Sequence, residues 1–81
     1  MDDQATARKL YERLMVANQD AFAAGLYNAA YHALAGALHC ARQLQDNKGL
    51  EHVQEIATSQ LIWIDQNAPN YEHSSQSAKI R

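Results

Sequence analysis

The chain has 81 residues, with 7 Lys and Arg against 9 Asp and Glu, and a formal net charge of −2. This length limits it to one small domain, and its single cysteine excludes a scaffold held by intramolecular disulfides. A slightly acidic chain is also a poor match for nucleic acid, because binding to phosphates depends on Lys and Arg.

Alanine is abundant, whereas Val, Ile, Thr and Phe are sparse, and one Pro and 3 Gly interrupt the chain. Since Ala is the strongest helix former and strands favour β-branched and aromatic residues, this composition predicts an all-α protein. We expect an antiparallel three-helix unit over residues 1–69, followed by a mobile polar tail over 70–81. No apolar stretch approaches the roughly 18 residues that cross a bilayer, and the acidic start is not that of a signal peptide. A cytoplasmic location without a membrane partner is therefore expected.

The first helix is predicted over 4–24, where apolar residues recur at helical spacing. One stripe of side chains consists of Ala7, Leu10, Leu14, Ala17 and Ala21. A second stripe beside it consists of Tyr11, Met15 and Phe22. Gly25 is expected to end this helix as a left-handed cap. The alternative break is the polar segment 18–20, with Asp20 capping the next helix.

The second helix, predicted over 26–45, has an apolar arc of about 200° and a narrow polar stripe. An arc this wide indicates burial on two sides, so we expect this helix to lie between the other two. Small residues recur every four positions along the arc at Ala29, Ala33, Ala37 and Ala41. We interpret them as the place where a neighbouring helix of the same chain packs closely.

The third helix is predicted over 50–66, after a turn at 46–49 that reads Asp-Asn-Lys-Gly. Its core stripe consists of Leu50, Val53, Ala57, Leu61 and Ile64. Pro69 disfavours a helical conformation in the residue before it, so the helix is expected to stop near Asn67.

The residues that carry chemistry do not form a catalytic or metal-binding pattern. His32 and His39 lie roughly 10 Å apart along their helix, whereas zinc ligands lie about 2 Å from the metal. Cys40 points to another side of the same helix. No glycine-rich phosphate loop is present, and no Ser or Thr stands beside a base in the sequence pattern. We therefore predict no enzymatic activity, no cofactor and no metal site.

The first helix carries more apolar surface than the core of a three-helix unit requires. Partly exposed aromatic and Met side chains mark interaction surfaces. The candidate interaction surface consists of Tyr11, Met15, Phe22, Ile62 and Trp63. Alternatively, the first and third helices pack on each other across the second and bury these residues. An exposed surface of this kind predicts a small non-catalytic protein–protein interaction module that self-associates or acts as an adaptor.

Residues 25–38 read Gly-Leu-Tyr-Asn-Ala-Ala-Tyr-His-Ala-Leu-Ala-Gly-Ala-Leu. The turn glycine is followed by an aromatic residue at Tyr27, a small residue at Ala30, a large residue at Leu34 and then Ala37-Leu38. This pattern resembles the second helix of a tetratricopeptide repeat. The resemblance implies a helical hairpin that binds proteins or peptides and has no catalytic activity.

Residues 27–34 are also similar to the central helix of the HEPN helical bundles, some of which are RNases. That resemblance implies a nucleic-acid-associated helical protein. The catalytic signature of the group is an Arg followed four to six residues later by a His. Arg42 is followed by His52, which is too far, so this alternative is expected to lack RNase activity.

Overall fold

The computed structural model describes residues 3–68 of the protein. This part of the chain forms three α-helices: α1 (Asp3–Ala23), α2 (Tyr27–Gln43) and α3 (Asn47–Asn67). Both α1 and α3 pack antiparallel against α2, which therefore lies between them. The all-α prediction with a central second helix is confirmed. The tail predicted at 70–81 lies outside the described residues.

The first chain reversal is built on the conformational freedom of Gly25. Gly25 has a φ of 78°, a left-handed conformation that costs glycine no steric strain. Its N–H donates to the carbonyl oxygen of Phe22 at 3.0 Å, and the N–H of Leu26 donates to that of Ala21 at 2.8 Å. These two bonds form a Schellman cap. The predicted break at Gly25 is confirmed, and α1 continues without interruption through the alternative break at 18–20.

The second reversal uses the same two hydrogen bonds with a different residue. Gln45 takes the left-handed position with a φ of 53°, and its N–H donates to the carbonyl oxygen of Arg42 at 3.0 Å. The N–H of Asp46 donates to the carbonyl oxygen of Ala41 at 3.0 Å. Helix α2 therefore ends slightly earlier than the predicted residue 45.

The predicted start of α3 at residue 50 is wrong, because the segment 46–49 is the cap and first turn of the helix. Asp46 has extended backbone angles, and its Oδ1 accepts from the N–H of Gly49 at 3.0 Å. An aspartate in this position satisfies an N–H that would otherwise have no helical partner. Gly49 is buried in the turn, where a Cβ atom would lie 2.9 Å from Oδ2 of Asp46.

The core lies where α1 and α3 converge on α2. Its buried residues are Met15, Leu34, Ala37 and Val53. Partly buried side chains that pack around them are Tyr11, Leu14, Leu38 and Ile56. In the predicted alanine stripe, Ala37 and Ala41 are fully buried, Ala33 is half-buried and Ala29 is exposed. Close packing within the chain is thus confirmed for the second half of the stripe.

Candidate functional site

An apolar groove runs between the first half of α2 and the second half of α3. Its volume is about 340 Å³, and Phe22 at the end of α1 closes part of its wall. The described residues that line it are Phe22, Tyr27, Tyr31, Leu34, Ala57, Gln60, Leu61 and Ile64. None of these eight side chains carries a charge, and Gln60 supplies the single amide among them. The wall therefore suits an uncharged, largely apolar ligand.

The groove has a buried floor and an exposed rim. Leu34 and Ile64 are buried at its base. Tyr31 and Leu61 form the rim, with 55% and 40% of their surface exposed. Apolar side chains left in water next to a cavity lose the free energy that burial would provide. A ligand that covers this rim would recover it.

Three aromatic rings pack together at the end of the groove nearest the α1–α2 turn, and two of them, Phe22 and Tyr27, also line the groove. The ring centroids of Phe22 and Tyr27 lie 5.2 Å apart. Trp63 lies 5.4 Å from Phe22 in an edge-on arrangement and 5.8 Å from Tyr27. Tilted and edge-on contacts at these distances are favourable for aromatic pairs. The cluster therefore ties the end of α3 to the turn that joins α1 and α2.

A pair of side-chain amides joins all three helices behind the groove. Asn18 of α1 is fully buried, and its Nδ2 donates to the carbonyl oxygen of Ala30 in α2 at 2.7 Å. The same Nδ2 donates to Oε1 of Gln60 in α3 at 3.1 Å, while Nε2 of Gln60 donates to Oδ1 of Asn18 at 2.7 Å. Gln60 is thereby held in one orientation. One lone pair of its Oε1 and one hydrogen of its Nε2 have no partner among residues 3–68.

The five residues of the sequence-predicted surface do not form one patch. Met15 is 8% exposed and lies in the core beside Val53, so its expected exposure is wrong. The reason is that the second stripe of α1 faces both α2 and α3. Tyr11 and Phe22 are half-buried, Trp63 is 42% exposed beside Phe22, and Ile62 is 51% exposed.

Ile62 stands apart from the groove on the outer face of α3. Helical spacing places it one turn from Thr58 and two turns from Glu55, both of which are exposed.

Sequence reasoning missed Tyr31 and Gln60 as site residues. It also placed Ala57 and Leu61 in the core stripe of the third helix, which is wrong, because both are exposed and line the groove instead. The available signal was Tyr31 itself, which belongs to the apolar arc of α2 but is 55% exposed in the structure.

The other end of the molecule carries an ion pair that stabilises the start of α3. Nη1 of Arg8 lies 2.9 Å from Oδ2 of Asp46. The N–H of Gly49 and then the Arg8 guanidinium lower the pKa of the Asp46 carboxyl below its ordinary value. Burial is the main cause that raises the pKa of the nearby Tyr11 hydroxyl. These groups cap a helix and line the core, which is a structural role.

The described part of the chain holds no group of three His, Cys, Asp or Glu side chains that could bind a metal ion. His32 and His39 are exposed, and Cys40 is half-buried. None of the helices within residues 3–68 is long and apolar enough to cross a membrane.

Comparisons with known proteins found no family model, no curated protein and no solved structure that matches this chain. The tetratricopeptide-like and HEPN-like resemblances of residues 25–38 therefore stay predictions.

Proposed function

We propose that the protein is a small, non-catalytic interaction module that binds a helix of a protein partner in the groove between α2 and α3. The observation that carries the proposal is the combination of an uncharged groove of about 340 Å³ with the exposed rim residues Tyr31 and Leu61. The partner is a second copy of the chain or a different protein. A cytoplasmic location remains part of the proposal.

The shape of the groove supports a helical partner. Two antiparallel helices form its sides, and an amphipathic helix that lies between them adds a third apolar stripe to the same core. Helices bind apolar grooves in this way by inserting side chains spaced three or four residues apart. The resemblance of residues 25–38 to a tetratricopeptide repeat points in the same direction, since those repeats bind proteins and peptides.

Two adjacent exposed aliphatic residues on α3, Leu61 and Ile62, provide the test of this proposal. Leu61 is on the rim of the groove, whereas its neighbour Ile62 is on the outer face of the same helix. Both are exposed, so neither Leu61→Glu nor Ile62→Glu buries a charge in the folded monomer. We expect Leu61→Glu to weaken association and Ile62→Glu to leave it unchanged, because only the first places a carboxylate where the partner is desolvated.

Association would be measured first as molar mass by light scattering over a range of concentrations. A wild-type dimer that Leu61→Glu dissociates and Ile62→Glu preserves would identify the partner as a second copy. For a wild-type monomer, the same three proteins would be used in pull-downs from a native extract. Equal association of Leu61→Glu and the wild type, with both folded by circular dichroism, would refute the groove as the binding surface.

A further inference from the structure

The two outer helices, α1 and α3, are joined by side chains rather than by close packing of their backbones. No Cα atom of α1 lies within 8 Å of a Cα atom of α3 in the described part of the chain. Three side-chain pairs that join the two helices are Arg8–Asp46, Asn18–Gln60 and Phe22–Trp63. Arg8 and Trp63 are partly exposed, whereas Asn18 is fully buried. Of these three pairs, Asn18–Gln60 is therefore the one whose hydrogen bonds water cannot readily replace.

The inner face of α3 carries a similar side chain at almost every turn. Its less exposed members, each about one turn from the next, are Leu50, Val53, Ile56, Gln60 and Ile64. Four of these five side chains are aliphatic. A displacement of α3 by one turn, about 5.4 Å along its axis, would therefore place aliphatic side chains in most of the same positions. Apolar packing alone does not specify the register of α3, meaning its position along its axis relative to α1 and α2.

Gln60 distinguishes the observed register from the displaced ones. Displacement by one turn in either direction would place Ile56 or Ile64 beside Asn18 instead. Oδ1 of Asn18 would then lose the N–H of Gln60 that it accepts at 2.7 Å, and its Nδ2 would lose the Oε1 acceptor at 3.1 Å. Because Asn18 is fully buried, its amide atoms would be left unpaired, which costs more than a typical hydrogen bond contributes.

We propose that the Asn18–Gln60 pair sets the register of α3 against the other two helices. Buried asparagines fix the register of paired helices in coiled coils, at a cost in stability. The register matters for the surface of the molecule, because Gln60, Leu61 and Ile64 line the groove between α2 and α3. The pair thereby decides which side chains of α3 form the groove wall, whether or not a partner binds there.

The test replaces both amides at once, so that neither is left without its partner. Asn18→Leu combined with Gln60→Leu makes every listed position on the inner face of α3 aliphatic. We expect the urea midpoint of this double variant to equal or exceed that of the wild type, because a buried polar pair replaced by apolar side chains of similar size is often neutral or stabilising. We expect the ratio of displaced to observed register to rise at least roughly 10-fold, because displacement no longer leaves a buried amide unpaired.

The indole N–H of Trp63 reports the register by NMR. The chain contains one Trp, so each slowly exchanging register of the full chain gives one indole signal. The ring of Trp63 lies 5.4 Å from that of Phe22 in the observed register, and a displacement by one turn separates the two rings. We expect the double variant to show a second indole signal, or relaxation dispersion of that signal if exchange is fast. The nuclear Overhauser effect between the two rings should weaken in the same sample.

A matched control adds two leucines beside the pair without removing it. Gln19 and Gln54 are exposed on α1 and α3, so Gln19→Leu combined with Gln54→Leu should keep one indole signal without dispersion. The proposal is overturned if the Asn18/Gln60 double variant keeps one such signal and the full Overhauser effect to Phe22. It is also overturned if that variant fails to fold, since the pair would then be required for stability, or if the control shows a second register.

Discussion

The two ends of the α2–α3 interface are built from the same pair of helices but pack differently. At the closed end, Ala41 of α2 meets the start of α3, where a Cβ atom on Gly49 would lie 3.5 Å from that of Ala41, and Ala37 packs in the core cluster with Val53. At the open end, larger side chains such as Tyr31, Leu34 and Ile64 line a groove of about 340 Å³. Along one antiparallel pair, small residues thus mark the packed core and larger residues line the open groove.

The aromatic cluster lies at the open end. Phe22 and Tyr27 lie at the turn between α1 and α2, and Trp63 reaches them from the end of α3. Three rings with centroids 5.2 to 5.8 Å apart need more room than three alanines. At this end α3 contacts the α1–α2 turn through the rings, and Leu34 and Ala57 line the groove beside them.

The largest predicted effect comes from enlarging one alanine at each end. Ala37→Leu is expected to lower the free energy of unfolding by about 3 kcal/mol, because Ala37 is fully buried in the core and added methyl groups have no space. Ala57→Leu is expected to change it by less than about 0.5 kcal/mol, because Ala57 faces the groove. Urea denaturation followed by circular dichroism measures both. Equal losses would mean that the groove is as tightly packed as the core.

The next effect tests the amide pair that supports the open end. Asn18→Ala is expected to lower the free energy of unfolding by about 2 kcal/mol, since it removes a fully buried group that bonds both α2 and α3. Gln19→Ala, at the exposed neighbouring position, is the matched control and should be near neutral. A neutral Asn18→Ala would show that the amide pair is not needed to hold α3 in place.

A smaller effect distinguishes the two chain reversals, which share the same hydrogen bonds. Gln45 pays the steric cost of a left-handed backbone that Gly25 avoids. Gln45→Gly is expected to raise the free energy of unfolding by about 1 kcal/mol, and Gly25→Ala is expected to lower it by about the same amount. For a chain of this size that is a change in Tm of about 4–8 °C. The same sign for both substitutions would contradict a left-handed conformation at Gln45.

The helix content and the central position of α2 could be predicted from the sequence because they depend on local pattern. Alanine content sets the helix propensity, and the wide apolar arc on 26–45 indicates two neighbours. The chain reversal at Gly25 could be predicted because glycine readily adopts the left-handed conformation. The chain reversal at Gln45 could not be predicted in this way, because glutamine has no preference for the left-handed region.

The candidate site could be predicted only in part, because the solvent exposure of each apolar side chain depends on how the three helices pack. Met15 and Phe22 lie on one stripe of α1, yet Met15 enters the core and Phe22 reaches the groove. Leu61 and Ile64 lie on one stripe of α3, yet the first is on the rim and the second on the floor. Periodicity identifies the stripe, while the packing of the three helices decides which of its members faces solvent.

The smallest effect is the acid dependence of stability at the closed end. The pKa of Asp46 is lowered in the folded state, first by the Gly49 N–H and then by Arg8. Its ionised form therefore stabilises the fold above the ordinary pKa of an aspartate, about 4. This stabilisation is lost as the pH falls through the lowered folded-state pKa, because the unfolded chain then binds the proton more readily.

Asp46→Asn keeps a capping side chain but removes the titration, so Tm should fall less steeply below pH of about 4 than in the wild type. Arg8→Gln removes only the second cause, which acts through a partly exposed ion pair, and should give an intermediate slope. Thermal unfolding across the acid range measures all three proteins. Identical slopes of Tm against pH in all three proteins would mean that other groups cause the acid sensitivity. They would also mean that the charge of Asp46 does not strengthen its cap hydrogen bond with Gly49.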